Sequence, residues 1–511
     1  MHPGTFAKTD PNKVAIVTDA GREITYAALD ARANQISRFL QSLGIAKADP
    51  VAILLPNDIE YLEIAWGIHR LGAQYVLLNH HLTAAEVDYI LADCGASVLF
   101  TASAFGDPVR YFGGAPALRT VVMIDAEGEG DNCTPMSAID AFSVEPLDFA
   151  IDGGPMLYSS GTTGRPKGIV IRRAYGEIGP NFPLKAMMDR FGMDADSVYL
   201  TPAPLYHAAP IMWSMSMHRI GATLVVMTKF DAERALQLIE NQRVTHGQFV
   251  PTMFTRMLKL SDETRTSCDV SSLAGVIHSA APCPASVKRA MIEWWGPIIW
   301  EFYGASEGHG STMLNSEEWL SHPGSVGKPL FGQPHIVLED GSEAPPNVVG
   351  DIYFSGGAQF TYHGDPDKTR DAYDERGWAR VGDRGYLDED GFLYLADRSN
   401  DMIISGGVNI YPRDSEDALA LHPKVMDVAV IGVPNEEFGE EVKALVVLKD
   451  ASDADPATEA ELIAHCRSEI AHFKCPRSID FVAELPRLPN GKLYRRRARE
   501  AYWKDSETLI V

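Results

Sequence analysis

Short apolar runs that alternate with amphipathic segments restrict the fold of this chain more than any other feature. Near the N-terminus, five such runs are VAIVTD (14–19), VAILLP (51–56), YVLLN (75–79), SVLFT (97–101) and VVMID (121–125). Between the first two, residues 26–44 carry apolar side chains at helical spacing and end in glycine. This alternation predicts the α/β class, with parallel sheets covered by helices.

The patterns change along the chain in a way that predicts two domains. At 511 residues the chain is too long for one core. The segments 350–357 and 377–398 indicate a β-rich subdomain, whereas apolar runs at 425–434 and 443–450 and a helix near 458–472 indicate a small α/β unit. We therefore predict an N-terminal domain over residues 1–398 and a C-terminal domain over residues 399–511.

Charge and composition exclude several classes of function. The net charge of −24 argues against nucleic acid or an anionic membrane surface as a partner. No apolar run reaches the roughly 18 residues of a membrane span, and the first ten residues lack the pattern of a signal peptide. We expect a cytoplasmic protein. The six cysteines form no CxxC pair, so neither a zinc site nor a disulfide framework is predicted.

A glycine- and hydroxyl-rich stretch, LYSSGTTGRPKGIVI (157–171), lies between two apolar runs. One interpretation is a surface hairpin turn. The other is a phosphate-binding loop, because flexible backbone amides, hydroxyls and a lysine suit an anion. The common nucleotide motifs GxxxxGK[ST] and GxGxxG are absent. Near the C-terminus, residues 486–500 hold six Lys and Arg against one acid, which fits an anionic ligand or a solvated basic helix.

Five segments in order resemble the adenylate-forming superfamily, which includes acyl- and aryl-CoA synthetases, luciferases and the adenylation domains of peptide synthetases. They are YSSGTTGRPKG (158–168), PLYHAAP (204–210), WEFYGASE (300–307), VGDRGYLDEDGFLYLADRSNDMIISGGVNIYP (381–412) and PNGK (489–492). The resemblance covers about residues 10 to 500. It implies a large N-terminal domain of helix-covered sheets with a β-rich subdomain, and a small mobile α/β C-terminal domain.

The resemblance implies an ATP-dependent carboxylate–CoA ligase. In such enzymes the carboxylate attacks the α-phosphate of ATP, pyrophosphate leaves, and coenzyme A then displaces AMP from the acyl-adenylate. Because the first step joins two anions, it requires positioning and charge neutralisation rather than a protein nucleophile. The implied cofactors are ATP, Mg²⁺ and coenzyme A. The implied partners are a small carboxylate substrate and, as a candidate assembly, a homodimer.

The nucleotide contacts follow from the resemblance residue by residue. Thr162, Thr163 and Lys167 would bind the β- and γ-phosphates. Glu307 would hold Mg²⁺, and Ser306, where most relatives have threonine, would donate to the α-phosphate. The implied cofactor-binding set around them is Ser159, Ser160, Gly161, Gly164, Ala281, Glu301, Tyr303, Gly304, Asp383 and Arg398. Without the other motifs, a helix N-cap followed by a first-turn acid would be the better interpretation of residues 306–307.

The base and sugar contacts each have a simpler alternative. Tyr303 would stack on adenine and Glu301 would accept from its amino group, although core packing is the usual role of a tyrosine between apolar neighbours. Asp383 would accept from both ribose hydroxyls, and a turn residue before a strand is the alternative. Arg398 would bridge ribose and phosphate as a fork-shaped donor.

The C-terminal residues would act in two different half-reactions. Lys492 would contact the α-phosphate and the substrate carboxylate, and a solvated lysine in a turn is the alternative. The set for the thiol step is Ser405, Gly406 and Gly407 along the pantetheine passage, with Lys474 and Arg477 at the nucleotide end of coenzyme A. The resemblance implies a rotation of the C-terminal domain about Asn400, where relatives usually have aspartate or lysine.

The acyl site is expected near His207, over the carboxylate end. No acid lies between residues 202 and 230 to receive an α-ammonium group, which argues against amino-acid activation. Small residues at Ala208, Ala209, Gly304, Gly308 and Gly310, with the apolar Met212, Trp213 and Met217, predict room for an aromatic, ring-bearing or medium-to-long-chain acid, unless neighbouring side chains fill that space.

Three other functions stay open from the sequence. An enzyme that loads a carrier protein is the nearest alternative, because it would share the adenylation step and need no pocket for the coenzyme A nucleotide. A luciferase-like oxygenase and a non-catalytic nucleotide-binding protein are the others. Saturation by free coenzyme A distinguishes the ligase from the carrier-loading enzyme.

Overall fold

Three sheets with helices packed against them make up the part of the chain that the structure describes. This computed structural model describes residues 2–503, apart from 108, 127–132, 161–165, 173–174, 181, 282, 397–402, 406–407, 411, 436–437 and 488–492. The helices are α1 (Pro3–Thr9), α2 (Tyr26–Ser42), α3 (Ile59–His69), α4 (Ala84–Cys94), α5 (Arg110–Gly114), α6 (Lys185–Arg190), α7 (Ala208–Ile220), α8 (Ala232–Asn241), α9 (Pro251–Leu258), α10 (Asp262–Ser267), α11 (Ala285–Trp295), α12 (Ser316–Ser321), α13 (Pro366–Asp371), α14 (Pro412–Ala420), α15 (Pro456–Glu469) and α16 (Arg495–Trp503). Short 3₁₀ turns lie at Ser103–Phe105, Met136–Ala141, Ala451–Asp453 and His472–Lys474.

The strands are distributed along the whole chain. They are β1 (Val14–Thr18), β2 (Glu23–Thr25), β3 (Pro50–Leu54), β4 (Gln74–Leu77), β5 (Val98–Thr101), β6 (Thr120–Met123), β7 (Cys133–Pro135), β8 (Gly154–Ser160), β9 (Pro166–Ile171), β10 (Val198–Thr201), β11 (Thr223–Val226), β12 (His246–Phe249), β13 (Gly275–His278), β14 (Ile299–Gly304), β15 (Ser311–Leu314), β16 (Ser325–Phe331), β17 (Gln333–Val337), β18 (Gly350–Ser355), β19 (Phe360–Tyr362), β20 (Ala379–Leu387), β21 (Leu393–Leu395), β22 (Ile403–Ser405), β23 (Val408–Ile410), β24 (Val425–Asn435), β25 (Gly439–Leu448) and β26 (Ser478–Phe481). The five apolar runs near the N-terminus form β1 and β3 to β6, as predicted.

Two large sheets form the N-terminal part of the molecule. The first has thirteen strands in the order β17-β18-β20-β21-β16-β15-β14-β13-β12-β10-β11-β1-β2, and the second has eight in the order β19-β9-β8-β4-β3-β5-β6-β7. Strands β14, β13, β12, β10, β11 and β1 of the first sheet are parallel to their neighbours in this series. Their carboxyl ends therefore lie at one edge of the sheet, which is where ligands bind in open α/β sheets.

Local sequence explains why α2 forms where the periodicity predicts a helix. The Thr25 side chain caps the helix by accepting a hydrogen bond from the backbone N–H of Ala28. After the last turn, Gly44 takes a φ of +82°, a conformation that glycine adopts easily. The helix buries one face, whose residues at helical spacing are Leu29, Ala33, Ile36 and Leu40.

Helices cover both sheets on both sides. One core lies between the two sheets and contains buried residues of α2, α3 and α7, such as Leu40, Trp66 and Trp213. A second core lies under α8, α9 and α11 on the outer face of the thirteen-stranded sheet, and a third lies under α4 and α5 on the eight-stranded sheet. This layered arrangement confirms the predicted α/β class with helix-covered sheets.

The β-rich segments do not form a sheet of their own. Strands β17, β18, β20 and β21 continue the thirteen-stranded sheet through antiparallel pairing with β16, and they enclose a small core that includes Ile352, Phe354 and Leu393. The pairing register shifts at three places in this region, between Ser311 and Thr312, between Ser325 and Gly327, and between Asp351 and Tyr353. Such bulges bend and twist a sheet.

A smaller α/β unit follows at the C-terminus. Its five strands pair in the order β23-β22-β25-β24, with β26 beside β25, and helices α14 and α15 cover one face while α16 covers the other. The predicted boundary near residue 398 lies outside the described residues, and β21 and β22 on either side of it belong to different sheets. Helix α14 packs against α11, and Arg413 Nη2 donates to the backbone oxygen of Cys283 at 3.4 Å.

In the described part of the chain, no helix has both the length and the hydrophobicity needed to cross a bilayer.

A buried ion pair in the first core provides a test of the fold. Arg70 is 2% exposed, its Nη2 atom lies 2.5 Å from Asp30 Oδ1, and burial lowers the pKa of the guanidinium. We expect Asp30→Ala to lower the free energy of unfolding by about 3–5 kcal/mol, because it leaves a buried charge without its carboxylate. Urea denaturation followed by tryptophan fluorescence measures the change.

The control is Asp140→Ala, which removes the 66% exposed partner of Arg32. Its expected cost is below about 1 kcal/mol. Equal losses in the two variants would contradict the described burial of Arg70.

Candidate active site

Two motif segments that are far apart in the chain meet at the end of β14. The Tyr303 hydroxyl donates a hydrogen bond to Asp383 Oδ2 at 2.7 Å. Asp383 lies inside β20, directly after Gly382 with its φ of +86°. The interpretation of Asp383 as a turn residue before a strand is therefore wrong. The structure brings together the two residues that were predicted to hold adenine and ribose.

Ser306 and Glu307 lie in a turn directly after β14. The backbone N–H of Gly308 donates to the oxygen of Ala305 at 3.0 Å, and the next regular element is the strand β15. The helix N-cap interpretation of this pair is therefore wrong. Ser306 is exposed, and Glu307 Oε1 accepts a hydrogen bond from the Tyr362 hydroxyl at 3.0 Å.

Two lysines lie beside this turn, one in the second sheet and one in the helix that follows its edge strand. Lys167 belongs to β9, which pairs with β8 on one side and with β19 on the other. Tyr362 ends β19, and the Lys368 ammonium lies 5.1 Å from the centre of its ring. Burial, followed by the proximity of Lys167, lowers the pKa of Lys368 to about 8. Sequence reasoning missed Tyr362 and Lys368. A lysine in the first turn of a short helix has the pattern of any surface lysine.

Several of the predicted nucleotide and thiol-site residues lie either at the end of β8 or outside the described part of the chain. Ser159 and Ser160 are described only as the last positions of β8, where Ser159 pairs with Lys167 and Ser160 pairs with Pro166. The predicted residues that lie outside the described part of the chain are Gly161, Thr162, Thr163, Gly164, Arg398, Asn400, Gly406, Gly407 and Lys492.

The structure contradicts the adenine contact predicted for Glu301. This residue is 6% exposed, and its Oε2 atom accepts from the ammonium of Lys288 at 2.6 Å. Lys288 itself is 0% exposed, and its charge lowers the pKa of Glu301 against the effect of burial. The Glu301 carboxylate therefore belongs to a buried ion pair, and Tyr303, two residues later on the same strand, contacts Asp383.

The loop that contains Ala281 follows β13 at the same edge of the sheet. Strand β13 is parallel to β14, so this loop and the turn after β14 lie at neighbouring carboxyl ends. Ala280 adopts a φ of +76°, which is uncommon for a residue with a Cβ atom. Such strain is concentrated at functional sites. Nothing in the sequence marked Ala280.

His207 follows β10, another parallel strand of this sheet, and is the N-cap of α7. Its Nε2 atom is buried and has no hydrogen-bond partner among the described residues. Burial, with a smaller effect of His80, lowers the pKa of His207 to about 3. At neutral pH the imidazole is therefore uncharged, and Nε2 is available to a ligand.

The predicted acyl space is filled at Gly310. A Cβ atom at Gly310 would lie 2.1 Å from Cδ1 of Phe354, and one at Gly304 would lie 3.0 Å from the Gly310 oxygen. Gly308 has a φ of +69°, so its backbone conformation explains the glycine. Trp213 is 1% exposed and packs against Phe191 and Tyr199. Close packing explains Gly310 and backbone conformation explains Gly308, so these two glycines are not evidence of an open acyl pocket.

The cations predicted to meet coenzyme A have partners within the C-terminal unit. Lys474 Nζ lies 2.7 Å from Asp414 Oδ2, and the Arg477 guanidinium lies 4.3 Å from the centre of the Phe438 ring. Cys475, which interrupts them, is 3% exposed and belongs to the core of this unit. Ser405 ends β22, where it pairs with Val408.

Comparison with family models agrees with this geometry. Residues 5–361 match the AMP-binding enzyme family, and residues 414–492 match the AMP-binding enzyme C-terminal domain. The chain belongs to the AMP-binding enzyme family. This membership confirms the predicted adenylate-forming superfamily and the predicted class of enzyme.

Characterised relatives share about a third of the residues over nearly their whole length. The fatty acid–[acyl-carrier-protein] ligase ScoC of Streptomyces coeruleorubidus is 31% identical, over 99% of this chain and 96% of the relative. The long-chain-fatty-acid–CoA ligase FadD13 of Mycobacterium tuberculosis is 32% identical, over 94% and 93%. A feruloyl-CoA synthase of an Amycolatopsis species is 33% identical, over 98% of each chain.

Solved structures have the same fold. The ATP-bound crystal structure of MatB from Rhodopseudomonas palustris gives a TM-score of 0.80 at 29% identity, over 99% of each chain. The o-succinylbenzoate CoA synthetase of Bacillus subtilis, in complex with its acyl-adenylate intermediate, gives 0.79 at 26% identity, over 100% of this chain and 99% of that one.

A substitution at Gly310 tests whether this glycine serves close packing or lines the acyl site. We expect Gly310→Ala to destabilise the protein by about 1–3 kcal/mol, because the added methyl group overlaps the Phe354 ring. Activity should fall by a similar factor with short, long and aromatic acids. Thermal unfolding and steady-state rates measure both effects. A loss confined to the largest acids would show instead that Gly310 lines the acyl site.

Proposed function

We propose that this protein is an ATP-dependent carboxylate–CoA ligase. In the first half-reaction, a carboxylate oxygen bonds to the α-phosphorus of ATP and pyrophosphate leaves, which gives an acyl-adenylate. In the second, the thiol of coenzyme A attacks the acyl carbon and AMP leaves. We further propose that residues 1–398 bind ATP and the acid, and that residues 399–511 form a second domain that serves both steps.

The observation that carries this proposal is the 2.7 Å hydrogen bond between Tyr303 and Asp383. It joins the segments assigned to adenine and to ribose, which are distant in sequence, at the carboxyl edge of the parallel strands. A carboxylate is the natural acceptor for the two hydroxyls of a ribose, and a tyrosine ring offers an apolar face to the base. His207 and the Ala281 loop lie at the same edge of the sheet.

The phosphate side of the site fits an ion-assisted adenylation. Lys167 supplies a positive charge, and Ser306 supplies an exposed hydroxyl. Glu307 is the proposed ligand of Mg²⁺, whose role when bound is to neutralise phosphate charge. Among the described residues there is no cluster of three or more metal-binding side chains. One carboxylate with phosphate oxygens and water is a common donor set for Mg²⁺, so the residues present fit this ion.

The acid itself is proposed to bind beside His207. The neutral imidazole offers a polar Nε2 atom for the carboxylate end without introducing a further charge. For the rest of the substrate we propose an aromatic, ring-bearing or medium-to-long-chain acid. The names of two relatives, a long-chain-fatty-acid–CoA ligase and a feruloyl-CoA synthase, agree with this range.

A second candidate function is the loading of a carrier protein. The ion pair of Lys474 with Asp414 and the stacking of Arg477 on Phe438 occupy the cations proposed for coenzyme A. One relative bears the name of a fatty acid–[acyl-carrier-protein] ligase. A carrier protein delivers the same pantetheine thiol without the nucleotide, so it would not need these cations.

A pyrophosphate-release screen tests the proposed function. The purified protein is incubated with MgATP and aromatic, fatty and ring-bearing acids, with and without coenzyme A. We expect acid-dependent pyrophosphate release, together with thioester formation that saturates with free coenzyme A. Release without saturation by coenzyme A would favour the carrier-loading function, and no release with any acid would contradict both.

A substitution at Lys492 is expected to affect the two half-reactions differently. We expect Lys492→Ala to slow acyl-adenylate formation by about 10²-fold or more, since one preorganised charge would be lost where two anions meet. Thioester formation from synthetic acyl-adenylate and coenzyme A should stay near the normal rate. Rapid-mixing assays of each half-reaction measure this. Equal losses in both would contradict two separate positions of the C-terminal domain, and no loss would make Lys492 a surface residue.

A further inference from the structure

A second lysine is held next to the proposed phosphate site by short-range hydrogen bonds. The backbone N–H of Lys368 donates to Asp365 Oδ1 at 2.9 Å, and the Thr369 hydroxyl donates to the Asp365 oxygen at 2.8 Å. The same hydroxyl accepts from the N–H of Tyr362 at 2.9 Å. These contacts fasten α13 to the end of β19, so the position of Lys368 is fixed relative to Tyr362.

Tyr362 connects this lysine to the two phosphate-site residues. Its hydroxyl donates to Glu307 Oε1 at 3.0 Å, and the Lys368 ammonium lies 5.1 Å from the centre of its ring. Antiparallel pairing of β19 with β9 places Tyr362 opposite Ile169, and the N–H of His363 donates to the Gly168 oxygen at 2.8 Å. Lys167, the next residue along β9, is therefore brought to the same place.

The two ammonium groups lie close enough to repel each other. Burial and then the proximity of Lys167 lower the pKa of Lys368, whereas the charges of Asp365 and Glu307 oppose that effect. In the part of the chain that the structure describes, neither lysine forms an ion pair with a carboxylate. Two adjacent cations of this kind are stabilised by an anion that binds between them, and a polyphosphate is the anion that the neighbouring residues favour.

We propose that Lys368 binds the β- and γ-phosphates of ATP together with Lys167, and holds pyrophosphate as it departs. This inference rests on the proposed function. When the carboxylate oxygen bonds to the α-phosphorus, the bond from that phosphorus to the bridging oxygen breaks, and its electron pair leaves on pyrophosphate. A cation at the β- and γ-phosphates stabilises that developing charge. No pyrophosphate takes part in the thioester step, so Lys368 has no role there.

Lys368→Met tests this role because methionine keeps an apolar stem over the Tyr362 ring and removes the charge. We expect kcat/KM for MgATP in pyrophosphate release to fall by about 10- to 100-fold, the loss of one charge-assisted hydrogen bond. Inhibition by added pyrophosphate should weaken by a similar factor, and Lys368→Arg should recover part of both. Thioester formation from synthetic acyl-adenylate should change less than about 2-fold.

The matched control is Arg370→Met on the same helix. The Arg370 side chain is 72% exposed and pairs with Asp367, so its removal should leave every rate within about 2-fold. Unchanged pyrophosphate release and inhibition in Lys368→Met would overturn the proposal. An equal loss in the thioester step would also overturn it, because it would show that Lys368 only supports the packing of Tyr362.

Direct binding separates this inference from the proposed function. Calorimetric titration of the full chain with magnesium pyrophosphate needs no acid substrate. Tighter binding by the wild type than by Lys368→Met supports the phosphate role even if no acid in the screen is activated. Equal binding by both proteins contradicts it even if the wild type proves to be a ligase.

Discussion

The hydrogen bond from Tyr303 to Asp383 depends on the curvature of the large sheet. Strands β14 and β20 are four strand intervals apart in that sheet, and in a flat sheet this separation would be about 19 Å, more than the two side chains can span. The 2.7 Å bond therefore requires the antiparallel end of the sheet to curl over the carboxyl ends of its parallel strands. Two register shifts lie between these strands, one in the β15–β16 pair and one in the β16–β21 pair, and such bulges bend a sheet.

The arrangement of the rest of the proposed site depends on this bending of the thirteen-stranded sheet. The parallel strands present His207, the Ala281 loop and the Ser306–Glu307 turn at one edge, and the curled strands supply Asp383 from the opposite side. The second sheet then contributes its own edge, where Tyr362 contacts Glu307 and brings the two lysines alongside. Adenine, ribose and phosphates thus receive their proposed contacts from separate parts of the fold.

How far the sequence could predict this site depends on whether a residue's role is local. Strands β1 and β3 to β6 and helix α2 were predicted correctly, since apolar periodicity and capping are local properties. Tyr303 and Asp383 were predicted as nucleotide contacts because they lie in motifs whose order along the chain resembles that of the adenylate-forming superfamily. The ion pair of Glu301 with Lys288 and the filling of the Gly310 space by Phe354 were not, because both depend on contacts between segments that only folding brings together. Lys368 was missed for the same reason.

The most direct test of the account is nucleotide binding with and without ribose hydroxyls. Isothermal titration compares AMP with 2′,3′-dideoxy-AMP on the wild type and on Asp383→Ala, with circular dichroism to confirm folding. We predict that the wild type prefers AMP by about 10-fold or more, the value of hydrogen bonds to a charged acceptor, and that Asp383→Ala binds both nucleotides equally. A variant that keeps the preference, or a wild type that lacks it, would contradict the assignment of this site to the nucleotide.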